Sequence, residues 1–206
     1  MGQDHLSEMV QALKRMNSGL HVTPFGSHQV GLSLEARSVR IGWIPTQAAL
    51  FGEFWSEDVP SGKLLTQSAD VALRTVQSWL LSKPNLSEMN RLHTEFIPTQ
   101  DGLAFERNTL RELRWSRLVE IAPPSMKHFV TQALSHAELH SAYPMLSLDD
   151  LALLSAPTSG EIASVRRAEN NSYEVLDLKE TKSLGTGDAQ WAITRLSNLV
   201  SQSRLG

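Results

Sequence analysis

Residues 29–55 carry the pattern that decides the fold class, and they read QVGLSLEARSVRIGWIPTQAALFGEFW. Apolar side chains recur in this stretch at every second position, first at Val30, Leu32 and Leu34 and then at Val39, Ile41 and Trp43. A period of two is typical of strands that bury one face against a core. The segment from Leu50 to Trp55 follows Pro45 and has strand character as well, so the sequence predicts three successive strands here.

Helical patterns flank these strands. Apolar residues spaced three and four apart predict helices over 4–17, 67–82 and 86–92 in the first half, and over 109–121, 125–140 and 188–200 in the second. The second half also predicts a meander of strands over 148–155, 161–167 and 172–178. Gln100, Asp101 and Gly102 predict a tight turn between short extended pieces. The chain is therefore predicted to be α+β, with antiparallel sheets and flanking helices.

A weak internal repeat relates the two halves. Leu64, Thr66 and five apolar positions of the helix at 69–80 match positions 120 residues later, as from Thr66 to Thr186. Two shorter matches pair 11–13 with 132–134 and 32–35 with 146–149. They predict two α–βββ–α units, at 1–100 and 101–206, either as separate domains or as one fused domain. The alternative is that amphipathic helices resemble one another for physical reasons alone.

Composition excludes several classes of function. The 206 residues are 41% hydrophobic and 20% charged with a net charge of −3, which is ordinary for a globular protein and gives no basic stripe for nucleic acid. The absence of cysteine excludes disulfides, thiolate metal sites and a cysteine nucleophile. The first residues lack the features of a secretory signal, and no apolar run reaches the roughly 20 residues of a membrane span. We expect a cytoplasmic protein that binds neither membrane nor nucleic acid.

The candidate catalytic motifs are incomplete. His128, Gln132, His136 and His140 recur at steps of four, but Ala137 stands where a zinc protease needs its glutamate, and no third ligand is near. Gly185 to Asp188 lacks the third glycine of a dinucleotide loop and the lysine of a phosphate loop, and reads as a turn followed by a helix cap. No nucleophile elbow occurs. We predict no metal and no cofactor, and favour a function without catalysis.

Candidate partner-binding residues follow from charge and aromatic patterning. Phe54 and Trp55 are adjacent in a strand, so one ring faces the core and the other is a candidate anchor. Basic residues along the helix at 107–117 and acidic residues at 174–180 are candidates for a charged rim. The predicted contact residues are Phe54, Trp55, Arg111, Arg114, Glu174, Asp177 and Glu180.

A family resemblance covers the last two thirds of the chain. Its residues include Leu113-x-Trp115-x-x-Leu118, the run from His136 to His140 with Tyr143-Pro144, then Tyr173-x-Val175 and Leu184-Gly185-Thr186. This order resembles a bacterial family of unknown function labelled a natural-product-biosynthesis protein. The motifs are structural and imply no catalytic residue.

Two functions of different classes follow. The first is a non-catalytic protein-binding protein, most concretely a cytoplasmic immunity protein that neutralises an interbacterial toxin by covering its active site. The second, implied by the resemblance alone, is an accessory protein or enzyme of bacterial secondary metabolism.

Overall fold

A computed structural model describes residues 2–26 and 28–203 and divides the chain into two compact units. Unit 1 spans residues 1–107 and unit 2 spans residues 108–206. The predicted boundary at 100/101 lies seven residues earlier and cuts a helix of unit 1, Gln100–Glu106, after its first residue. Among the described residues, no helix has the length and apolar character needed to cross a membrane.

Unit 1 is built around a six-stranded antiparallel meander in which each strand pairs with the next. Its elements, in chain order, are α1 (Gly2–Met16), β1 (His21–Phe25), β2 (Gln29–Leu34), β3 (Arg37–Ile44), β4 (Ala49–Ser56), β5 (Val59–Thr66), α2 (Ala69–Gln77), α3 (Leu86–Leu92), β6 (Phe96–Pro98) and α4 (Gln100–Glu106). One π-helical turn, Ser78–Ser82, continues α2.

The core of unit 1 lies on one face of this sheet. Leu6, Met9 and Leu13 of α1 and Val76 of α2 pack against the inward side chains of the strands. Phe54 is at the centre, 5.8 Å from the Trp79 ring and 5.2 Å from the Phe96 ring, both in edge-to-face geometry. The alternation seen in the sequence places these strand residues on the face that the helices cover. We call the opposite face of each sheet its outer face.

Unit 2 pairs a five-stranded antiparallel meander with three helices in its described residues. Its elements are α5 (Leu110–Ile121), α6 (Pro124–Ala133), β7 (Tyr143–Ser147), β8 (Asp150–Leu154), β9 (Glu161–Arg167), β10 (Tyr173–Asp177), β11 (Lys182–Gly187) and α7 (Ala189–Ser203). Ile193, Leu196 and Val200 of α7 are buried against the sheet together with Trp115 of α5. Trp115 donates from Nε1 to the Ala142 carbonyl at 3.1 Å.

The α+β class and the antiparallel sheets are confirmed, but the sheets have six and five strands in place of three each. The strands that the pattern missed are β1, β5, β6, β7 and β11, and the first four of these contain proline. Proline interrupts a strand pattern, yet it is tolerated at sheet edges and bulges. Three of the four lie at an edge of their sheet, and β5 pairs with β4 through a bulge close to Pro60.

Two other sequence predictions are wrong. Gln100 to Gly102 do not form a turn but begin α4, because Thr99 Oγ1 accepts a hydrogen bond from the Gly102 amide at 3.0 Å and caps the helix. The helix predicted over 125–140 ends at Ala133. There the Ser135 and His136 amides bond three residues back, and a short 3₁₀ turn, Leu139–Ser141, buries Leu139 and leads into β7.

The 120-residue repeat pairs equivalent elements in the two units. Thr66 lies in β5 and Thr186 in β11, and each of these fifth strands leads directly into a helix that packs on its sheet. The match of 11–13 with 132–134 also pairs the ends of α1 and α6, the helices before the two meanders. The third match fails, since it pairs β2, a second strand, with β7, a first strand. The duplication itself stays a prediction.

Candidate binding surface

The outer face of the unit 1 sheet carries a cluster of an arginine and two aromatic rings. Arg40 follows Val39 in β3, and the alternation that buries Val39 and Ile41 turns Arg40 outward. Its guanidinium carbon lies 4.7 Å from the centre of the Phe25 ring and 5.6 Å from the centre of the Trp55 ring. Arginine between aromatic faces is held by cation–π attraction, so its position is set before any ligand arrives.

Backbone pairing brings these three residues together. Phe25 ends the edge strand β1, and its ring lies over Gly31, where a Cβ atom would be 2.6 Å from the ring. Trp55 pairs with Ser38, two residues before Arg40 on β3. Glycine at position 31 therefore lets an aromatic ring from β1 lie flat on β2 and reach Arg40.

An open cavity of about 370 Å³ lies beside the cluster. Three hydroxyl groups and one carboxylate line it in addition to the rings: Thr23, Ser33, Ser38 and Asp58. We call the residues Thr23, Phe25, Ser33, Ser38, Arg40 and Trp55 the Arg40 surface.

The guanidinium of Arg40 is weakly paired. Its ion-pair partner, Glu53 of β4, comes no closer than 4.0 Å to Nη1, which is the outer limit of an ion pair. The Nε atom is buried and has no hydrogen-bond acceptor among the described residues. About two fifths of the Arg40 side chain is exposed to solvent, so a ligand can reach part of it.

Apolar side chains continue this outer face away from Arg40. Phe51 of β4 lies over Gly42 of β3, and Leu65 of β5 pairs with Phe51. Leu65 is 55% exposed and Ile97 of β6 is 67% exposed. Such a group of exposed apolar residues on one face is a feature of interaction surfaces.

The structure separates the two predicted aromatic candidates. Phe54 is fully buried in the unit 1 core, so it cannot contact a partner, whereas Trp55 is half-buried on the outer face beside Arg40. The prediction that one ring of the pair faces away from the core is confirmed.

Most of the charged candidates in unit 2 serve its own fold. Arg111 donates to the Ser141 carbonyl at 3.0 Å, and Arg114 donates to the Pro157 carbonyl. Glu174 accepts from Arg166 Nε and Ser183 Oγ, each at 2.8 Å, and Asp177 Oδ1 accepts from the Lys179 and Glu180 amides. The Glu180 side chain is exposed in the same turn. Arg111 and Arg114 of the predicted basic strip therefore hydrogen-bond to backbone carbonyls of unit 2.

The histidine stripe is not formed. His128 and Gln132 share α6, but His136 follows the helix end, and the His140 ring stacks on Trp115 at 5.1 Å. Within the described part of the chain, no group of three or more acidic or histidine side chains is placed to hold a metal ion.

A larger cavity of about 520 Å³ in unit 2 is a weaker candidate. Arg167 and Asp188 line it, but Arg167 Nη1 donates to the Ser125 carbonyl at 2.7 Å. Asp188 Oδ1 accepts from the Trp191 amide at 2.8 Å and caps α7. These two charged groups already have partners within unit 2.

Among the described residues of unit 1, His93 and Ser78 form a hydroxyl–imidazole pair. His93 Nε2 lies 2.8 Å from Ser78 Oγ, and burial, with Arg74 nearby, lowers the pKa of His93, which favours a neutral ring. A base and nucleophile need this distance. The cavity beside His93 is lined by Arg74, Thr94 and Glu95 but not by Ser78, so the hydroxyl does not face the space that a substrate would fill.

No protein-family model matches the chain, and comparisons with curated proteins and with solved structures find no similar protein. The resemblance to the natural-product-biosynthesis family stays a prediction.

The sequence held a signal for part of this surface. The same alternation that predicts the β3 core face also places Arg40 on the opposite side, and the adjacent rings of Phe54 and Trp55 mark an outward aromatic. Phe25 was missed because β1 has no clear alternation and contains Pro24.

Proposed function

We propose that this protein works without catalysis by binding another protein through the Arg40 surface. The observation that carries the proposal is the half-buried arginine held beside the rings of Phe25 and Trp55. Tryptophan and arginine are enriched among the residues that contribute most to protein–protein affinity. Leu65 and Ile97 extend the contact area with apolar side chains on the same face.

The edge strands of the two sheets favour binding through a sheet face over binding by the addition of a partner strand at an edge. Edge strands β1, β6 and β7 contain Pro24, Pro98 and Pro144, and β11 is irregular in its pairing with β10. Proline and bulges at an edge discourage pairing with a strand of another chain. A partner therefore gains more from the outer face of unit 1 than from its edges.

The narrower predictions belong to this proposal. A cytoplasmic immunity protein that covers a toxin's active site is one form of stoichiometric protein binding, and the Arg40 surface is the part of the chain that we assign to it. A role in secondary metabolism stays the alternative, with no feature of the surface that favours it.

The test is quantitative capture of partners from the native host with matched variants. Phe25→Ser and Trp55→Ser change the Arg40 surface, and Met145→Ser in unit 2 is the control, since Met145 is 45% exposed and Phe25 is 43% exposed. We expect at least one protein to be captured by wild type and by Met145→Ser and to be lost from both surface variants. Its affinity for Trp55→Ser should fall by about 2 kcal/mol, or roughly thirtyfold.

Folding of each variant is checked by circular dichroism before capture. If all three variants capture the same proteins as wild type, the Arg40 surface is not the binding site and the proposal is wrong.

A further inference from the structure

Arg40 has capacity for an anionic ligand that its own chain leaves unused. A guanidinium offers five N–H donors in a planar fork that matches a carboxylate. In this protein the nearest approach of its ion-pair partner Glu53 is 4.0 Å, and Nε has no acceptor among the described residues. Because about two fifths of the side chain is also exposed, the guanidinium is available for a closer pair than Glu53 provides.

The surroundings strengthen such a pair. The rings of Phe25 and Trp55 flank the guanidinium and reduce its contact with water, which makes a charge-assisted hydrogen bond stronger than on an open surface. Hydroxyl groups of Thr23, Ser33 and Ser38 line the same cavity and can donate to the remaining lone pairs of a bound oxygen.

The charges near Arg40 favour a single negative charge. Asp58 lines the cavity, and Glu53 pairs across the strands with Arg40 on one side and with Lys63 on the other. A doubly charged phosphate, or the row of charges on a nucleic acid backbone, would be repelled by these two carboxylates more strongly than a single charge would. The net charge of −3 on the whole chain adds to this repulsion. A carboxylate brings one charge and the planar geometry of the fork.

We infer that the Arg40 surface recognises an aspartate or glutamate side chain of the partner protein, set between apolar residues that contact Phe25 and Trp55. This inference rests on the proposed function, because it names the chemistry of the partner at the same surface. Arg40 is the residue that selects the acidic group, and the two rings select its apolar neighbours.

Selection from a library of random peptides displayed on phage tests this chemistry directly. Wild type and Arg40→Met are each used as bait, since methionine keeps an unbranched apolar stem between the rings but has no charge. We expect acidic residues with apolar neighbours to be enriched on wild type and not on Arg40→Met. A selected peptide, made synthetically, should bind Arg40→Met at least about tenfold more weakly than wild type.

A double-mutant cycle with that peptide separates pairing from packing. Replacing its acidic residue by the amide should weaken binding to wild type about tenfold and leave binding to Arg40→Met unchanged. Arg40→Lys should recover only part of the affinity, because an ammonium lacks the planar fork. Equal unfolding midpoints of wild type and Arg40→Met confirm that the variant is folded.

Three outcomes of the peptide experiments would overturn the inference. They are an absence of acidic peptides among the binders, an acidic preference that persists with Arg40→Met, and tighter binding when phosphoserine replaces the acidic residue. A native partner lost from Trp55→Ser but kept by Arg40→Met would reject this inference alone. A partner kept by both variants would reject the proposed function as well.

Discussion

Arg166 on the outer face of unit 2 lies 2.7 Å from Glu174, whereas Arg40 on the outer face of unit 1 lies 4.0 Å from Glu53. In both sheets the arginine and the glutamate are cross-strand neighbours. Glu174 also accepts a hydrogen bond from Ser183 on β11. Arg166, Glu174 and Ser183 thus form a row of polar contacts across three strands, which we call the ladder of unit 2. Arg40 is drawn instead between two aromatic rings. The cross-strand arginine–glutamate pair is thus closely formed in unit 2 and loose in unit 1.

The two units also differ in where their exposed apolar residues lie. Phe25, Leu65 and Ile97 all lie on the outer face of one sheet. In unit 2 the exposed large apolar residues described are Ile121 at the end of α5, Met145 in β7, and Leu148, which is 89% exposed in the two-residue turn between β7 and β8. These three lie at a helix end, in a strand and in a turn, whereas a group on one sheet face is typical of an interaction surface.

The largest effect on stability should come from Phe54, which faces the core, when it is compared with its neighbour Trp55 on the outer face. Phe54→Ala removes a fully buried ring that contacts Trp79 and Phe96, and should lower the free energy of unfolding by about 3–5 kcal/mol. Trp55→Ala, on the outer face, should lower it by about 1 kcal/mol or less. Urea unfolding followed by circular dichroism measures both. Equal losses would show that the two rings do not occupy different environments.

The aromatic cover of the unit 1 outer face should be sensitive to added volume. A Cβ at Gly42 would lie 2.5 Å from the Phe51 ring, so Gly42→Val should cost about 1–3 kcal/mol of unfolding free energy. The same change should cost less in a chain that already has Phe51→Ala, because the ring that clashes is gone. An identical cost in the two backgrounds would place the strain elsewhere.

Leu148 should be replaceable with a gain in stability. Its φ angle is 54°, in the left-handed region that asparagine tolerates better than leucine. Leu148→Asn should raise the free energy of unfolding by about 1 kcal/mol, as measured by urea unfolding. The same variant should capture partners as wild type does, and a lost partner would mean that unit 2 also contributes a contact.

The smallest effect concerns the ladder of unit 2 and depends on pH. Hydrogen bonds from Ser183 and from Arg166 lower the pKa of Glu174. The folded state therefore holds fewer protons than the unfolded state, and the ladder stabilises the fold above the ordinary glutamate pKa of about 4.3. This contribution is lost as the pH falls through the lower folded value.

The measurement compares urea midpoints of wild type and Glu174→Gln across pH. We expect a small deficit for Glu174→Gln at neutral pH that shrinks below about pH 4. Glu53→Gln, which changes the looser pair of unit 1, should show a smaller deficit at neutral pH. A larger effect for Glu53 would reverse the contrast between the two faces.

Local periodicity predicted much of the fold. The apolar spacing placed α1, α2, α3, α5 and α7 and strands β2, β3, β4, β8, β9 and β10, because each buries a regular stripe on its own core. It failed for β1, β6 and β7, where an edge strand needs no alternation. It also failed for α4, which the Thr99 cap begins.

The site was predicted only in part. The prediction for Trp55 follows from the opposite orientation of neighbouring strand residues, but Arg111, Arg114 and Glu174, which were predicted for a rim, hydrogen-bond within unit 2. The sequence pattern predicts the face on which a charged side chain lies. It does not predict which carbonyl or carboxylate group that side chain will contact. The contact between Phe25 and Arg40 could not be predicted, because 15 residues separate them in the chain (40 − 25). They come together only through the pairing of β1 with β2 and of β2 with β3.

The sequence by itself determined the class of the fold, the helices and the inner faces of the central strands. These depend on period, which is a local property that burial of one face imposes on each element. The tertiary structure alone decided that Arg40 remains weakly paired while Arg166 is closed into a ladder. That difference depends on which side chain the neighbouring strand brings alongside each arginine, and strand register is set by the packing of the whole sheet.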